Sequence, residues 1–432
     1  MYSITRYTSL LLCLFLLVGC AGRNRYQIDG TLVLNGIDAP VKVVRDEKGM
    51  AYIHAETLDD AMRALGYVTA QDRMFQMTLT RLFAEGRICE LAGEKARALD
   101  VRHRTLGLHR QAIAHARILE PETRLLIQHY VDGINAYIQT GEDSFPLEFK
   151  LAGLSPERWT IADSLAILYF MSWDTSANLK TEIVAQMLLE KLGEQRAREI
   201  FPLIINPDDE VFRADAAFGA SVASADIQAD KMLLGFLEDG SHAMGSNNWV
   251  AGPAMSPGGK PVVCDDPHME TRILPGPWYP AGLFTPEIRV VGVHIPGLPL
   301  MPIFRNRHVA IGITNAYGDM QDLYVETVDP ANPDHFLEGN RSIAFGVVQE
   351  TLRIRDKQAK AGFREEPLTI RYTTRGPVVS DVLKGLETDR VMSLRWAPFE
   401  TMDPTFAAGF LSRMPADAAA GVLAGLSPEA AY

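Results

Sequence analysis

Met244-Gly245-Ser246-Asn247-Asn248-Trp249-Val250 sets a hydroxyl residue between a glycine and the start of a strand-like run. Glycine accepts backbone angles that other residues resist, so the bond before Ser246 lies where the chain bends most freely. If that bond were cut, Ser246 would head a new chain. Its own α-amine, which titrates near neutral pH, would then act as base to its hydroxyl without help from a histidine or carboxylate. Gly-Ser-Asn-Asn is also an ordinary turn sequence, so the stretch gains weight only from its surroundings.

Downstream the chain reads Cys264-Asp265-Asp266-Pro267-His268-Met269, then Pro296-Gly297-Leu298-Pro299, Asn306-Arg307-His308 and Gly312-Ile-Thr-Asn315-Ala-Tyr-Gly-Asp319-Met-Gln321-Asp322. Upstream it carries Gly66-Tyr-Val-Thr-Ala-Gln-Asp-Arg-Met-Phe-Gln-Met77 and Arg81-Leu-Phe-Ala-Glu85-Gly-Arg87. In order and spacing these segments resemble the penicillin acylase family of N-terminal-nucleophile amidohydrolases, which includes penicillin, cephalosporin and acyl-homoserine lactone acylases. The likeness runs through nearly the whole chain after its leader. It implies an α+β fold, an αββα sandwich that is incomplete here, with a helical N-terminal portion.

The resemblance also assigns roles. Ser246 becomes the nucleophile, freed by self-cleavage at Gly245-Ser246 and attacking the carbonyl of an N-acyl amide such as a penicillin or an acyl-homoserine lactone. His268 falls where relatives place a side chain or backbone group near the nucleophile and oxyanion. Asn315 falls where a backbone N–H serves as oxyanion donor. Asp265 stands where relatives commonly carry Asn. Glu182, with Asp319, Gln321 and Asp322, matches a structural calcium site; oxygen-only ligands suit such a hard cation. Relatives continue for several hundred residues past the equivalent of Tyr432. That part supplies an oxyanion-hole Asn and a nearby Arg, and loss of one such donor typically costs about 10²–10³ in rate. The expected partners are a small N-acyl substrate and the two chains of one precursor, α and β, held together after cleavage. A non-catalytic ligand-binding lipoprotein on the same scaffold is the alternative. A Ser-His-Asp hydrolase is disfavoured because the sequence contains no Gly-x-Ser-x-Gly elbow.

Bulk properties agree with a large globular enzyme. The 432 residues are 47% hydrophobic and 22% charged, and 54 acidic against 42 basic residues leave a net charge of −12. With no basic tract to break that balance, nucleic acid is not an expected partner. Met1 to Cys20 reads as an export leader: Arg6, an apolar run from Leu10 to Val18, then Gly19-Cys20. Nine apolar residues are too short to span a bilayer. Leu17-Val18-Gly19-Cys20 resembles a bacterial lipoprotein box, implying a lipid on Cys20 and, with Ala21 following, an outer-membrane site facing the periplasm, or else a periplasmic one. Cys13 and Cys20 belong to the leader, and the state of Cys89 and Cys264 stays open.

Apolar periodicity completes the outline. Short runs with turn residues between Ile28 and His54 predict strands, and helical spacing takes over from Ala61 through Leu82 and on toward Thr140. Its methionines and aromatics are expected in a helical core, and Arg73, Arg81, Glu85, Arg87 and Glu90 in a structural ion-pair network. A second helical region spans 161–192. Beyond Ser246 the apolar runs at 262–263, 288–293, 309–313, 323–328, 352–354, 368–372, 378–379 and 391–394 predict strands, and 402–426 returns to helix. The organisation is therefore a leader (1–20), an α-chain-like helical region (21–205), a spacer rich in Ala, Asp and Ser (206–245), and the first part of a β-chain-like domain (246–432).

Overall fold

The computed structural model describes residues 29–140, 145–176, 179, 188–189, 191–200, 245–268, 275–315, 320–382 and 391–401. The leader with Cys20, the spacer before Gly245, the helical reading of 402–426, and both Glu182 and Asp319 lie outside those residues.

A 28-residue helix, α1 (Leu58–Glu85), is the spine of the described structure. Thr57 caps it by accepting a hydrogen bond from Asp60 N at 3.1 Å, and Asp59 and Asp60 face the positive end of the helix dipole. Gly86, with φ at 63°, terminates it in the left-handed conformation that glycine adopts at least cost. As the periodicity predicts, Ala61, Leu65, Val68, Met74, Met77 and Leu82 are buried, and the methionines fill the core. Short helices α2 (Cys89–Ala92), α3 (Arg97–Leu106) and α4 (Leu108–Ile118) follow, then α5 (Pro121–Thr140), α6 (Leu147–Ala152), α7 (Ile161–Thr175) and α8 (Glu194–Ile200).

Helices α1 and α5 touch through their backbones. A Cβ on Gly66 would lie 1.9 Å from Tyr130 O, and one on Gly133 would lie 1.9 Å from Arg63 O. The two glycines are the condition for that approach. Asn135 extends α5's reach: its side chain accepts from Trp159 N at 2.8 Å and donates to Trp159 O at 2.9 Å. This fixes the chain entering α7, which Thr160 and Asp163 then start with a reciprocal capping box.

The strands are β1 (Lys42–Arg45), β2 (Ala51–His54), β3 (Ser246–Ala251), β4 (Val262–Pro267), β5 (Tyr279–Phe284), β6 (Arg289–His294), β7 (Ile303–Arg305), β8 (Ala310–Ile311), β9 (Gln321–Asp329), β10 (Asn332–Glu338), β11 (Arg341–Ala344), β12 (Gly346–Arg355), β13 (Phe363–Tyr372) and β14 (Val391–Trp396). A short helix, α9 (Pro398–Thr401), follows. One sheet runs β1-β2-β5-β6-β7-β8 and another β11-β10-β9-β14, while β12-β13 and β3-β4 form ribbons. The pairing of β2 with β5 is parallel and joins residues before and after Ser246 in one sheet. Helices and sheets share a core holding Ile53, Leu65, Tyr130, Ile167, Tyr279, Leu283, Phe304 and Trp396. The architecture is α+β, as expected. Strands β5, β7, β10 and β11 were not anticipated, because Pro280 and Gly282 break the first pattern, the second is only three residues long, and polar residues dominate the other two. Val378, read as strand, makes only an isolated bridge to Ser393.

The charged motif of α1 does form an ion network. Arg87 binds Glu85, Glu90 and Glu157, and Arg81 binds Glu157 at 3.1 Å and lies over the Trp159 ring. Arg73 instead donates to Gln76 and to Gly276 O. His109 Nε2 stands 3.7 Å from both Glu85 and Asp163, and the three residues present ligand atoms within 4.8 Å of one another. Arg81, within 3.9 Å of both carboxylates, already supplies positive charge there. Burial raises the Asp163 carboxyl to about 6, against the opposing pull of Arg81 and with the facing Glu85 adding to the rise. Burial also lowers His109, keeping its ring neutral.

Gly66→Ala should lower unfolding stability by about 3 kcal/mol, because the added methyl meets backbone that no rotamer change can move; an unchanged denaturation midpoint would mean that the helices are not in contact. A second expectation concerns pH. A carboxyl raised in the folded state contributes stability below its unfolded value near 3.8, and that contribution is lost as pH rises through about 6. Asp163→Asn should therefore improve thermal stability relative to the unaltered protein more at pH values above that window than below it, and a pH-independent difference would exclude the buried pair.

Candidate active site

Ser246 begins β3, and β4 runs antiparallel to it, with Ser246 opposite Pro267 and Asn248 opposite Asp265. Directly opposed residues point to the same side of a ribbon and alternate along it, so Ser246, Asn248, Asp265 and Pro267 share one face. Asn247, Trp249, Cys264 and Asp266 share the other. Ser246 Oγ donates to Gly245 O at 2.7 Å, and His268 N donates to the same oxygen at 2.9 Å. The carbonyl preceding the serine thus accepts two hydrogen bonds, one of them from a main-chain amide.

The His268 ring follows its own strand to the opposite face. Its Nε2 lies 3.3 Å from Asp266 Oδ2 with both side chains exposed, while Nδ1 flanks Gly245, 3.2 Å from where a Cβ would stand. At the Gly245-Ser246 junction it is therefore the His268 backbone that makes the hydrogen bond.

Asn315 lies in the segment after β8, where its side-chain amide donates to Thr175 O at 2.8 Å, at the last turn of α7. In the same segment Gly312 packs on Asp265: a Cβ at 312 would come within 2.7 Å of Asp265 Oδ1. Both Asp265 carboxylate oxygens are shut off from solvent without a hydrogen bond of ordinary geometry. That desolvation raises the carboxyl above its usual range, although Ile313 N–H and the Asn248 side chain favour its charged form. The structure thus brings Ser246, the His268 amide and Asp265 together on one ribbon, and ties that ribbon to the Gly312–Asn315 segment. Nothing in a linear pattern announces the Asp265–Gly312 contact, because Gly312 lies far along the chain from the Cys264-Asp265-Asp266-Pro267-His268 motif.

Of the four candidate metal ligands, Gln321 and Asp322 fall in the described structure. Gln321 is buried on β9 and its Oε1 accepts from Leu179 N at 2.9 Å, while Asp322 is exposed opposite Arg395. The Gln321 tie holds Leu179, three positions before Glu182 in the sequence, against β9. The donor set is all oxygen and fits a hard cation.

The remaining motifs are structural. Gly297, at φ 95°, donates to the Tyr130 hydroxyl at 3.1 Å and sits so close to Ile167 and Trp159 that any side chain would collide with them. Asn306 Oδ1 accepts from both His308 N and Val309 N and so closes a turn. In the 66–77 motif, Thr69 meets the buried His294 at 3.3 Å, and Asp72 pairs with Arg45 and Tyr279. Burial lowers His294 to about 4, so its ring is neutral. Cys89, buried, and Cys264, half-buried, are both free, and burial pushes the Cys89 thiol up to about 12.

Residues 40–427 match the family model described as penicillin amidase. The chain is 32% identical over 403 residues to the penicillin acylase 2 proenzyme of Pseudomonas sp. (strain SE83), covering 90% of this chain and 49% of that one. It is 30% identical to the acyl-homoserine lactone acylase QuiP of Pseudomonas aeruginosa, with 82% and 42% covered. Among solved structures, a thermostable penicillin G acylase from Alcaligenes faecalis aligns with a TM-score of 0.34 at 25% identity, covering 41% of this chain and 97% of that chain. An α+β protein with a serine opening one strand of a ribbon is the class that fold and site define. The chain belongs to the penicillin amidase family, and it spans about half the length of the curated relatives that it matches.

Asn315→Ala removes the tie between the segment after β8 and the end of α7 and should cost about 1 kcal/mol of stability, with faster amide exchange across residues 310–315. Unchanged exchange there would mean that the tie does not persist in solution.

Proposed function

We propose that the protein is an acylase that hydrolyses N-acyl amides after cutting its own chain at Gly245-Ser246. The observation that carries this reading is the paired hydrogen bonding of Gly245 O by Ser246 Oγ and His268 N, in a chain of the penicillin amidase family. Attack of Ser246 Oγ on the Gly245 carbonyl carbon places negative charge on the oxygen that His268 N–H already faces, and such a donor is worth about 10²–10³ in rate. The C–N bond then breaks, the serine nitrogen takes a proton, and water hydrolyses the resulting ester. The amine so released is the base for the second reaction. It draws the proton from Ser246 Oγ as the hydroxyl attacks an acyl substrate, and returns a proton to the leaving amine. Water then frees the acyl group.

The likeness to a penicillin acylase 2 proenzyme and to an acyl-homoserine lactone acylase supports this substrate class, within which either amide fits. Glu182, Asp319, Gln321 and Asp322 are proposed to hold a calcium ion that braces the segment between the two chains. Export with a lipid on Cys20, placing the enzyme at the periplasmic face of the outer membrane, completes the proposal.

Intact-mass measurement and N-terminal sequencing of the purified protein should find a chain beginning at Ser246. Ser246→Ala should leave the precursor whole and abolish turnover of N-acyl amides. Cleavage at residue 245 in the alanine variant would refute self-processing, and a protein that stays uncut and inactive even when extended to the length of its relatives would favour a binding function instead.

A further inference from the structure

Asp265 stands two residues along β4 from Pro267, the partner of Ser246, on the same face of the ribbon, and diagonal neighbours of this kind lie about 7–8 Å apart. Its oxygens are closed off from water and lack a hydrogen bond of ordinary geometry, and among the described residues no Lys, Arg or His forms an ion pair with it. A carboxylate in such a place is stabilised by any cation that arises nearby. Hydrolysis of the Gly245-Ser246 bond creates one, the α-ammonium of residue 246.

We propose that Asp265 is a positioning residue that stabilises the protonated amine freed at Ser246 and thereby sets the pH at which the site works. The inference rests on Ser246 being the nucleophile with its own amine as base. An ammonium beside a carboxylate holds its proton more tightly, so the neutral amine that catalysis needs is available only at higher pH. At this separation and partial burial the displacement is on the order of one pH unit above the ordinary α-amine value. The ammonium in turn keeps Asp265 ionised, and the two titrate as a pair.

Two other titratable groups lie close by: Asp266, whose charge adds to the rise of Asp265, and His268, whose Nδ1 flanks Gly245. Asp266 and His268 engage each other on the opposite face, and Cys264 points the same way. Asn248, beside Asp265, is neutral, and the Gly312–Asn315 segment packed on it has no titratable side chain.

The test is the titration of the Ser246 amine in the matured full chain. The rate of labelling by an amine-acylating reagent is followed against pH by mass spectrometry of the peptide that begins at Ser246, and the pH profile of N-acyl amide hydrolysis is recorded in parallel. In the unaltered protein the labelling midpoint should lie above the ordinary α-amine value. Asp265→Asn should lower it by about one unit and move the acid limb of hydrolysis with it, while Asp265→Glu, which keeps the charge, should retain a raised midpoint. A midpoint in the unaltered protein at or below the ordinary value, or one that Asp265→Asn leaves in place, overturns the proposal while leaving Ser246 as nucleophile. Absence of any Ser246 terminus in the unaltered protein overturns both.

Discussion

The contact of two helix backbones at Gly66 and Gly133 is the constraint from which the position of the site follows. Because α1 and α5 approach without side chains between them, Tyr130 and Asn135 are carried to fixed places along α5. Tyr130 receives the Gly297 amide, and Asn135 grips Trp159 at the entrance to α7. The last turn of α7 then offers Thr175 O to Asn315, and the segment holding Asn315 rests through Gly312 on Asp265 of the Ser246 ribbon. Each step involves backbone directly, the last setting the Gly312 main chain against the Asp265 side chain. Such contacts tolerate little sliding, which is what a reacting group held to a fraction of an ångström requires.

That chain of contacts explains why the motifs with the strongest signal lie away from the candidate site. The 66–77 motif is specific because its residues serve three layers at once: Gly66 faces α5, Thr69 reaches His294 on β6, and Asp72 joins Arg45 on β1 to Tyr279 on β5. The turn at Gly297 has a similar character. Even histidine follows the pattern. His294 is buried and neutral, and closes a turn by meeting the Leu298 carbonyl, whereas His268 contributes its amide and leaves its ring in solvent.

Much of this was legible in the sequence, and for stated reasons. The apolar stripe of α1 follows from its period, although its end at Gly86 was not marked off from the helical spacing that runs on toward Thr140, and the order of separated motifs led to the family. The junction at Ser246 was legible because a glycine, a hydroxyl and a strand-forming run occur together. Strand β5 was not, since Pro280 and Gly282 are accepted only because Tyr279 and Leu283 are anchored in the core from the other side. The face to which the His268 ring belongs depends on the register between β3 and β4, and register is a pairwise property that neither strand contains alone. The environment of Asp265 is likewise made by Gly312, 47 positions away in the chain.

The placement of the Gly245-Ser246 bond also determines what its hydrolysis would leave behind. It lies at the end of a ribbon and outside the shared core, while the parallel pairing of β2 with β5 and the packing of Ile53 and Ile167 against the residues around Leu283 and Phe304 join the two sides elsewhere. Each fully buried aliphatic or aromatic side chain contributes about 1.5–3 kcal/mol to such a union. A severed covalent link forfeits a loop-closure term of only a few kcal/mol. The core, being contributed from both sides of the junction, outweighs that loss many times over. One peptide bond at this junction could therefore be exchanged for a free amine while the geometry around it stays in place.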